Sequence, residues 1–451
     1  MDSNVRITHG TMLSHNSIPS YANGDFVRLQ GTCNGKPAVI GLDKDILSKH
    51  SLFIGGTGCG KTTLFFHFVD QLKHKMTNDD VMIIFDSKGD FYEKFRNLHS
   101  EKNYVIGNSK QYVDISLKWN IFKEILSDYH AEDKNESYLL TIQEICKSFF
   151  AEKMKISKDP FFSTAAYQLL SSILTSIIRD GIKSDSIKSL ETRQEMFFNS
   201  SLRDWLNYAS LDDYMEVLSS YPDLQAVKNY IDPECAEQGL SVLSEMFTTM
   251  KSVLIGVFAD QGMFSIRDFV RKKGGKTLFI EYDLSIGNVL SPVYSLLFDL
   301  ALKEALGRQE GERGNVYLIC DEFRLLPNLQ HIDDAVNFGR SLGVKVFAGL
   351  QSINQLNEVY GQERGKNIAA GFSSIYAFHA NDVETRNFVT NFFGQNEYRL
   401  QYQLMTGGFN DELKSGKTVE DWDMINLAVG EAVVGLPFSK PFRFHFNDYK
   451  K

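Results

Sequence analysis

Cysteine is scarce in this sequence. The chain of 451 residues has five, and no two of them form a CxxC pair. They are Cys33, Cys59, Cys146, Cys235 and Cys320. An odd number without paired spacing argues against a disulfide framework. We therefore expect free thiols in a reducing compartment, which predicts a cytoplasmic protein.

Segments typical of secretion or membrane insertion are missing as well. The opening residues, MDSNVRITHG, contain no basic stretch followed by an apolar one, so we expect no secretory signal. The longest uncharged stretch, residues 161–178, includes seven Ser, Thr or Gln side chains between apolar pairs at helical spacing. That pattern predicts an amphipathic helix packed in the protein. We expect no direct membrane insertion.

Positive charge is in deficit. Lys and Arg number 48 against 57 Asp and Glu, which gives a formal net charge of −9 and a pI near 5.7. This balance excludes a protein that coats nucleic acid non-specifically. Any contact with DNA must be local, for example in loops that line a channel.

The apolar residues that are present form short runs typical of buried strands. A hydrophobic content of 43% is that of an ordinary globular protein, and the length predicts two domains or one domain with an insertion. The runs alternate with helical or loop segments, which predicts a mostly parallel sheet covered on both faces. They lie at 51–55, 81–85, 277–283, 316–322, 345–352 and 373–380.

The strand pattern stops between about Ile125 and Phe269. Asp159 and Pro160 open a helix with a continuous apolar face, and a second such helix lies near 246–257. The sequence therefore predicts an α/β nucleotide-binding domain in two parts, residues 1–125 and 270–451, with an all-helical insertion at 126–269.

A phosphate-binding loop occupies the end of the first apolar run, in the segment FIGGTGCGKTT. The motif GxxxxGK[ST] is matched without a gap, between a strand and a helix, and a chance match has a frequency of about 1–2%. The predicted nucleotide-binding residues are Gly55, Gly56, Thr57, Gly58, Cys59, Gly60, Lys61, Thr62 and Thr63. Lys61 is expected to contact the β- and γ-phosphates, and the Thr62 hydroxyl is expected to bind Mg²⁺.

An acidic pair follows the strand VYLIC. Asp321 is the candidate Mg²⁺ partner, and Glu322 is the candidate group that activates the attacking water. Alone, such a pair is more often a solvated turn or a helix cap. Beside a phosphate-binding loop, it favours hydrolysis.

Four segments together resemble the coupling proteins of bacterial conjugation and type IV secretion, which are relatives of the hexameric RecA-like DNA translocases. The resemblance covers most of residues 24–446. The segments are GGTGCGKTT, FDSKGD, DVETRNFVTNFFG and CDEFRLLPNLQHIDDAVNFGRSLGVKVFAGLQSINQLNEVYG. The resemblance implies a RecA-like fold, a ring of identical subunits, and ATP with Mg²⁺ as cofactors.

The resemblance also implies two further catalytic residues. Arg340 corresponds to an arginine finger that reaches a neighbouring subunit, and Gln351 corresponds to a sensor of the γ-phosphate. Each has an alternative: Arg340 would cap a helix, and Gln351 would satisfy a loop. Arg386 is a rival finger. Asp86 and Lys88 match a family motif to which we assign no chemistry.

The function implied is an ATP-driven ring motor that transfers DNA, single-stranded or bound to a relaxase. Partner proteins of secretion or conjugation would dock on residues 126–269. Family members typically carry N-terminal membrane helices, so we expect a partner to recruit this chain to the inner face of the plasma membrane. Two alternatives stay open: an ATPase that recruits protein effectors without handling DNA, and a non-motor adaptor gated by ATP. The basic segment 270–276 would contact DNA or form a solvated turn.

Overall fold

The apolar runs become the centre of a large sheet in the computed structural model, which describes residues 4–129, 136–184, 197–285, 287–403 and 409–450. Within these ranges, eleven strands form one sheet in the order β3-β2-β14-β13-β10-β4-β9-β8-β5-β7-β6, and three strands form a second sheet, β1-β11-β12. In chain order the strands are β1 (Asn4–His9), β2 (Val27–Cys33), β3 (Lys36–Leu42), β4 (Ser51–Ile54), β5 (Val81–Asp86), β6 (Asn103–Ile106), β7 (Lys276–Glu281), β8 (Val316–Cys320), β9 (Val344–Leu350), β10 (Ser374–Phe378), β11 (Gln395–Gln403), β12 (Phe409–Lys417), β13 (Glu431–Gly435) and β14 (Phe442–Phe446).

Helices cover both faces of the large sheet, and further helices pack on these. In chain order the α-helices of the described residues are α1 (Lys44–Leu47), α2 (Lys61–Lys75), α3 (Asp90–Phe95), α4 (Ile121–Leu126), α5 (Tyr138–Ile156), α6 (Phe161–Lys183), α7 (Asn199–Tyr208), α8 (Leu211–Ser219), α9 (Ala236–Val253), α10 (Ile266–Lys272), α11 (Gly287–Leu306), α12 (Ile332–Phe338), α13 (Ile353–Tyr360), α14 (Gln362–Ala370), α15 (Val383–Phe393) and α16 (Asp421–Ile425).

The seven strands from β10 to β6 pair in parallel. Alternate side chains of a strand point to opposite faces, so Ile83 and Phe85 of β5 enter one core while Met82 and Ile84 enter the other. Because both faces are covered, these strands consist mainly of apolar residues. The expected α/β fold with a mostly parallel sheet is confirmed.

The antiparallel strands beside β10 were not predicted. β13, β14, β2 and β3 extend the sheet through antiparallel pairs. Only alternate residues of β2 and β14 are fully buried, so neither strand has a continuous apolar run. Continuous apolar runs identify strands that are buried on both faces, so this alternation was not recognised as a strand signal.

In the part of the chain that the structure describes, residues 126–269 contain helices and turns and no strand, apart from a single β-bridge of Phe264 to Trp119. α5, α6 and α9 pack together, and α5 and α9 also pack on α11, which lies against the sheet. One continuous apolar core therefore joins these helices to one face of the sheet. The domain boundaries at 125 and 269 stay a prediction.

The apolar segment at 161–178 lies within α6, which begins at Phe161 with the Asp159 carboxylate accepting from its N–H. By length and composition this helix could cross a membrane, but 61% of its most apolar window is buried inside the protein. Its buried face packs against α5, α8 and α9. That packing fits the amphipathic helix expected from the sequence.

The cysteines whose side chains the structure describes are all free and buried. They are Cys33, Cys59, Cys146 and Cys320. The side chain of Cys235 lies outside the described part of the chain.

The chain passes from the sheet into the helical region near α4 and returns near α10, and a buried carboxylate connects these two chain crossings. Glu124 of α4 accepts hydrogen bonds from Trp119 Nε1 at 3.0 Å, Ser265 Oγ at 2.9 Å and the N–H of Ile266. Nearby, Arg267 of α10 forms an ion pair with Asp128. Burial outweighs these hydrogen bonds and raises the pKa of Glu124 to about 7.

We expect this carboxyl group to make stability fall with rising pH. From the unfolded pKa near 4.5 up to about 7, the folded state binds the proton more tightly than the unfolded state, so deprotonation favours unfolding. Glu124→Gln cannot titrate. The unfolding free energy of the wild type, relative to Glu124→Gln, should therefore drop by at most about 1.4 kcal/mol per pH unit in this window.

Urea denaturation of both proteins at pH 5, 6 and 7.5 measures this difference. Glu310→Gln, at an exposed position, is the matched control and should show no trend. A constant difference between wild type and Glu124→Gln would contradict the assignment.

Candidate functional site at the carboxyl ends of the parallel strands

The glycine loop at residues 55–60 joins β4 to α2. Gly55 has φ 151°, and a Cβ there would lie 2.7 Å from the Cβ of Phe378. Gly60 has φ 109°, and a Cβ would meet the backbone of Gly430 at 3.1 Å. Both positions therefore require glycine. The loop is fixed by hydrogen bonds from the N–H of Gly55 to Leu350 and from the N–H of Gly56 to His379, at 3.2 and 2.7 Å.

Lys61, the first residue of α2, lies folded over this loop. Its Nζ donates to the carbonyl oxygens of Gly55 at 2.5 Å and Gly56 at 3.0 Å, and only 8% of the residue is exposed. Successive loop amides and the helix N-terminus form an anion-binding site, and the ammonium group adds a positive charge beside it. The arrangement fits the predicted phosphate-binding loop.

The predicted acids, Asp321 and Glu322, directly follow β8, which is the second strand from β4 in the sheet. Neighbouring strands lie about 4.8 Å apart, so the ends of β4 and β8 are separated by roughly 10 Å. β9 lies between them and ends at Leu350, one residue before Gln351. The structure therefore brings the loop, Asp321, Glu322 and Gln351 to one edge of the sheet.

Gln351 connects the loop to Glu322. Its Oε1 accepts from Thr57 Oγ1 at 3.2 Å, and its Nε2 donates to Glu322 Oε2 at 2.7 Å. The other Glu322 oxygen accepts from Arg324 Nε at 3.0 Å. A group bound at the loop is thus linked through one carboxamide to the candidate base.

Asp321 lies beside a second buried carboxyl group that the sequence analysis left without a role. Burial first, and then the charge of Asp86 on β5, raise the pKa of Asp321 to about 7; burial likewise raises the pKa of Asp86 to about 6. Asp86 Oδ1 is buried without a hydrogen-bond partner. Two adjacent buried carboxyl groups with an unsatisfied oxygen suit a divalent cation. Asp321 fits the predicted Mg²⁺ role, and the role of Thr62 stays a prediction.

Ser87 is a site residue that the sequence did not reveal. Its hydroxyl donates to Asp321 Oδ1 at 3.1 Å and so orients that carboxylate. Asp86 is the last residue of β5 and Ser87 follows it, and β5 is the neighbour of β8 in the sheet. The strand order needed to place them there cannot be derived from one sequence, although their position after an apolar run was visible.

Arg340 is not brought to this edge. It precedes β9, whose seven residues span about 23 Å, so it lies at the amino ends of the strands while Gln351 lies at the carboxyl ends. Its Nη2 pairs with Asp45 Oδ1 at 2.6 Å, and its side chain is 54% exposed. Arg340 cannot contact the loop of its own chain.

Arg386, the rival finger, is held inside its own chain. Its Nε pairs with Asp421 at 2.8 Å, and its Nη1 donates to the carbonyl oxygens of Ala380 and Asn381. Its side chain is only 12% exposed. These contacts give Arg386 a local structural role.

Three of the four cations in the basic segment at 270–276 form ion pairs within the chain, and Lys276 Nζ lies over the Phe269 ring. Arg271 pairs with Glu304 at 2.8 Å, Lys272 with Asp268 at 2.9 Å, and Lys273 with Glu312 at 2.6 Å. The ion pairs favour the structural alternative over a DNA contact.

A family model described as the type IV secretion-system coupling protein DNA-binding domain matches residues 36–429. The coupling protein TraD of Escherichia coli K12 is 20% identical over 384 residues, which cover 83% of this chain and 48% of TraD. The chain thus spans about half the length of that curated relative.

Solved structures share the fold over the whole chain. The plasmid coupling protein TrwB in complex with ADP and Mg²⁺ is 19% identical with a TM-score of 0.72, covering 100% of this chain and 96% of TrwB. VirB4 of Thermoanaerobacter pseudethanolicus is 12% identical with a TM-score of 0.55, covering 95% and 98%.

The geometry predicts that modification of Cys59 disturbs the loop. Cys59 is 5% exposed and its sulfur lies 3.8 Å from Lys61 Nζ, so a bulky group on sulfur must displace the lysine. We expect N-ethylmaleimide to weaken binding of a fluorescent ATP analogue at least about tenfold, a change of 1.4 kcal/mol. Cys59→Ser should bind normally and resist the reagent.

Mass spectrometry must show that Cys59 itself is modified, since the other described thiols are buried too. Undiminished binding by chains with fully modified Cys59 would overturn this expectation.

Proposed function

The chain belongs to the type IV secretion-system coupling proteins, and from that premise we propose that it is an ATP-driven motor, assembled as a hexameric ring, that couples hydrolysis to the transfer of DNA or of a relaxase–DNA complex. The proposal places it in the cytoplasm, recruited by a partner to the inner face of the plasma membrane. Residues 126–269 are the proposed docking region for partner proteins.

One observation supports the proposal: Arg340, the proposed arginine finger, does not lie at the edge of the sheet that holds Lys61, Glu322 and Gln351. Those three residues lie at the carboxyl ends of the strands, whereas Arg340 lies at the amino ends, before β9, whose seven residues span about 23 Å. A second copy of the chain is needed to supply the arginine. An arginine provided in trans makes hydrolysis depend on assembly, which suits a ring motor.

Each residue at the first edge has a proposed role. The loop amides and Lys61 bind the phosphates, and Thr62 and Asp321 hold Mg²⁺, which neutralises charge on the phosphates when bound. Glu322 accepts the proton of the attacking water. Gln351, hydrogen-bonded to Glu322 and Thr57, positions that carboxylate relative to the γ-phosphate.

The divided site predicts complementation between two inactive variants. Glu322→Gln should lower ATP turnover by about 10²-fold or more, and Arg340→Ala by about 10³-fold or more. In a mixed ring, an Arg340→Ala subunit keeps its phosphate-binding loop and Glu322. A neighbouring Glu322→Gln subunit keeps Arg340, so the two together complete one site. The mixture should therefore regain turnover that neither variant shows alone.

Differently tagged subunits verify that the two variants assemble together. The control is a mixture of the double variant Arg340→Ala/Glu322→Gln with Glu322→Gln. No complete site can form in it, because every subunit lacks Glu322. A verified mixed ring without recovered turnover would refute the shared site. Arg386→Ala in place of Arg340→Ala should lower the unfolding midpoint and give no such recovery.

The net charge of −9 favours one other function, an ATPase that recruits protein effectors and does not handle DNA. Titration of steady-state ATP hydrolysis with single-stranded and then duplex DNA, at several protein concentrations, separates the two. The motor requires turnover that rises with DNA and steeply with protein concentration. Turnover that rises with protein concentration but ignores DNA would favour the effector ATPase.

A further inference from the structure

Three potential metal ligands meet where the helical region contacts α11 and α12, outside the nucleotide site. Glu144 lies on α5, Asp299 on α11, and His331 immediately before α12. One ligand atom from each lies within 4.8 Å of the others. These residues are far apart in the sequence, and no motif connects them.

Asp299 fixes the orientation of His331. The carboxylate is buried, and it accepts from the backbone N–H of His331 at 2.9 Å and contacts its Nδ1 at 3.1 Å. A proton on Nδ1, held by this carboxylate, leaves the lone pair on Nε2. Carboxylate–histidine pairs of this kind orient metal-binding imidazoles.

His331 Nε2 faces an oxygen that has no hydrogen-bond partner. Glu144 Oε1 is buried and unsatisfied, and it lies 3.7 Å from Nε2. That separation is too long for a hydrogen bond. Two ligands bound about 2.1 Å from a tetrahedral ion lie roughly 3.4 Å apart, so a small shift would place both on one ion.

A cavity of about 270 Å³ opens beside these two atoms, lined also by Lys147, Ser148 and Gln330. Its volume holds several waters. We propose that Glu144 and His331 bind a divalent transition-metal ion, with Asp299 as the positioning residue and cavity waters as the remaining ligands. An imidazole ligand favours Zn²⁺ over Mg²⁺.

Lys303 limits the affinity of this site for a metal ion. Its Nζ contacts Glu144 Oε2 and leaves Oε1 for the ion, but its positive charge repels a cation. We therefore expect a dissociation constant of about 10 μM, well above that of a structural zinc site. A proton on His331 Nε2 would compete with the metal ion.

The bound ion would join two parts of the molecule that the chain connects only indirectly. Glu144 belongs to the helical region, and His331 lies on the segment between Glu322 and Arg340. The proposal does not depend on the function of either residue, and its test uses no ATP.

Isothermal titration of the full chain with ZnCl₂ is the first measurement. We expect one zinc ion per chain at about 10 μM, with binding weakened at least tenfold in His331→Gln and in Glu144→Gln. Co²⁺ as a spectroscopic probe should give visible absorption in the wild type that both variants lose.

His74→Gln is the matched control, because His74 Nδ1 faces the Asp70 carboxylate at 3.8 Å on the surface. It should bind zinc like the wild type. Unchanged urea midpoints verify that the variants fold, and Asp299→Asn provides a third variant with both direct ligands intact. No saturable binding below about 100 μM, or binding retained in His331→Gln and Glu144→Gln, would overturn the proposal.

Discussion

The parallel register of β4, β9, β8 and β5 is the constraint on which the candidate site depends. Parallel strands end at the same edge of a sheet, so the residue after each strand meets the residues after its neighbours. Ile54 pairs with Leu350, and Cys320 pairs with both Ala348 and Phe85. From this pairing the phosphate-binding loop, Gln351, the acidic pair and the second carboxylate all follow as neighbours, although 296 positions separate Gly55 from Gln351 in the chain.

The same strands that bring these groups together keep Arg340 away. A strand has two ends, and β9 carries Gln351 after one and the Arg340 segment before the other. The length of β9 therefore sets their separation, and no rotamer of an arginine spans it. The separation of Arg340 from this edge is thus a property of the sheet itself. At the far edge the contact of Arg340 with Asp45 is largely exposed, so it contributes little to stability and does not prevent the guanidinium from changing partner.

Residues close in sequence to a strong local pattern were predictable, whereas those that depend on strand order were not. Six central strands could be found because burial on both faces makes their sequences mainly apolar. The glycine loop could be found because its backbone needs positive φ. β2 and β14 alternate buried and exposed residues and resemble many surface segments. Asp86 and Ser87 could be seen to follow a strand, but their proximity to Asp321 depends on β5 lying next to β8. Glu144, Asp299 and His331 meet only through helix packing, for which a single sequence has no local signal.

The continuous core between the helical region and the sheet limits where the molecule can move. α11 packs against the sheet on one side and against α5 and α9 on the other, and nearly every apolar side chain at these contacts is buried. Separating the layers would expose this surface at about 25 cal/mol per Å². Glu124 and the Arg267–Asp128 pair fix the two chain crossings in addition. Changes at Glu322 and Gln351 should therefore leave these layers packed together, because separating them requires opening a packed interior.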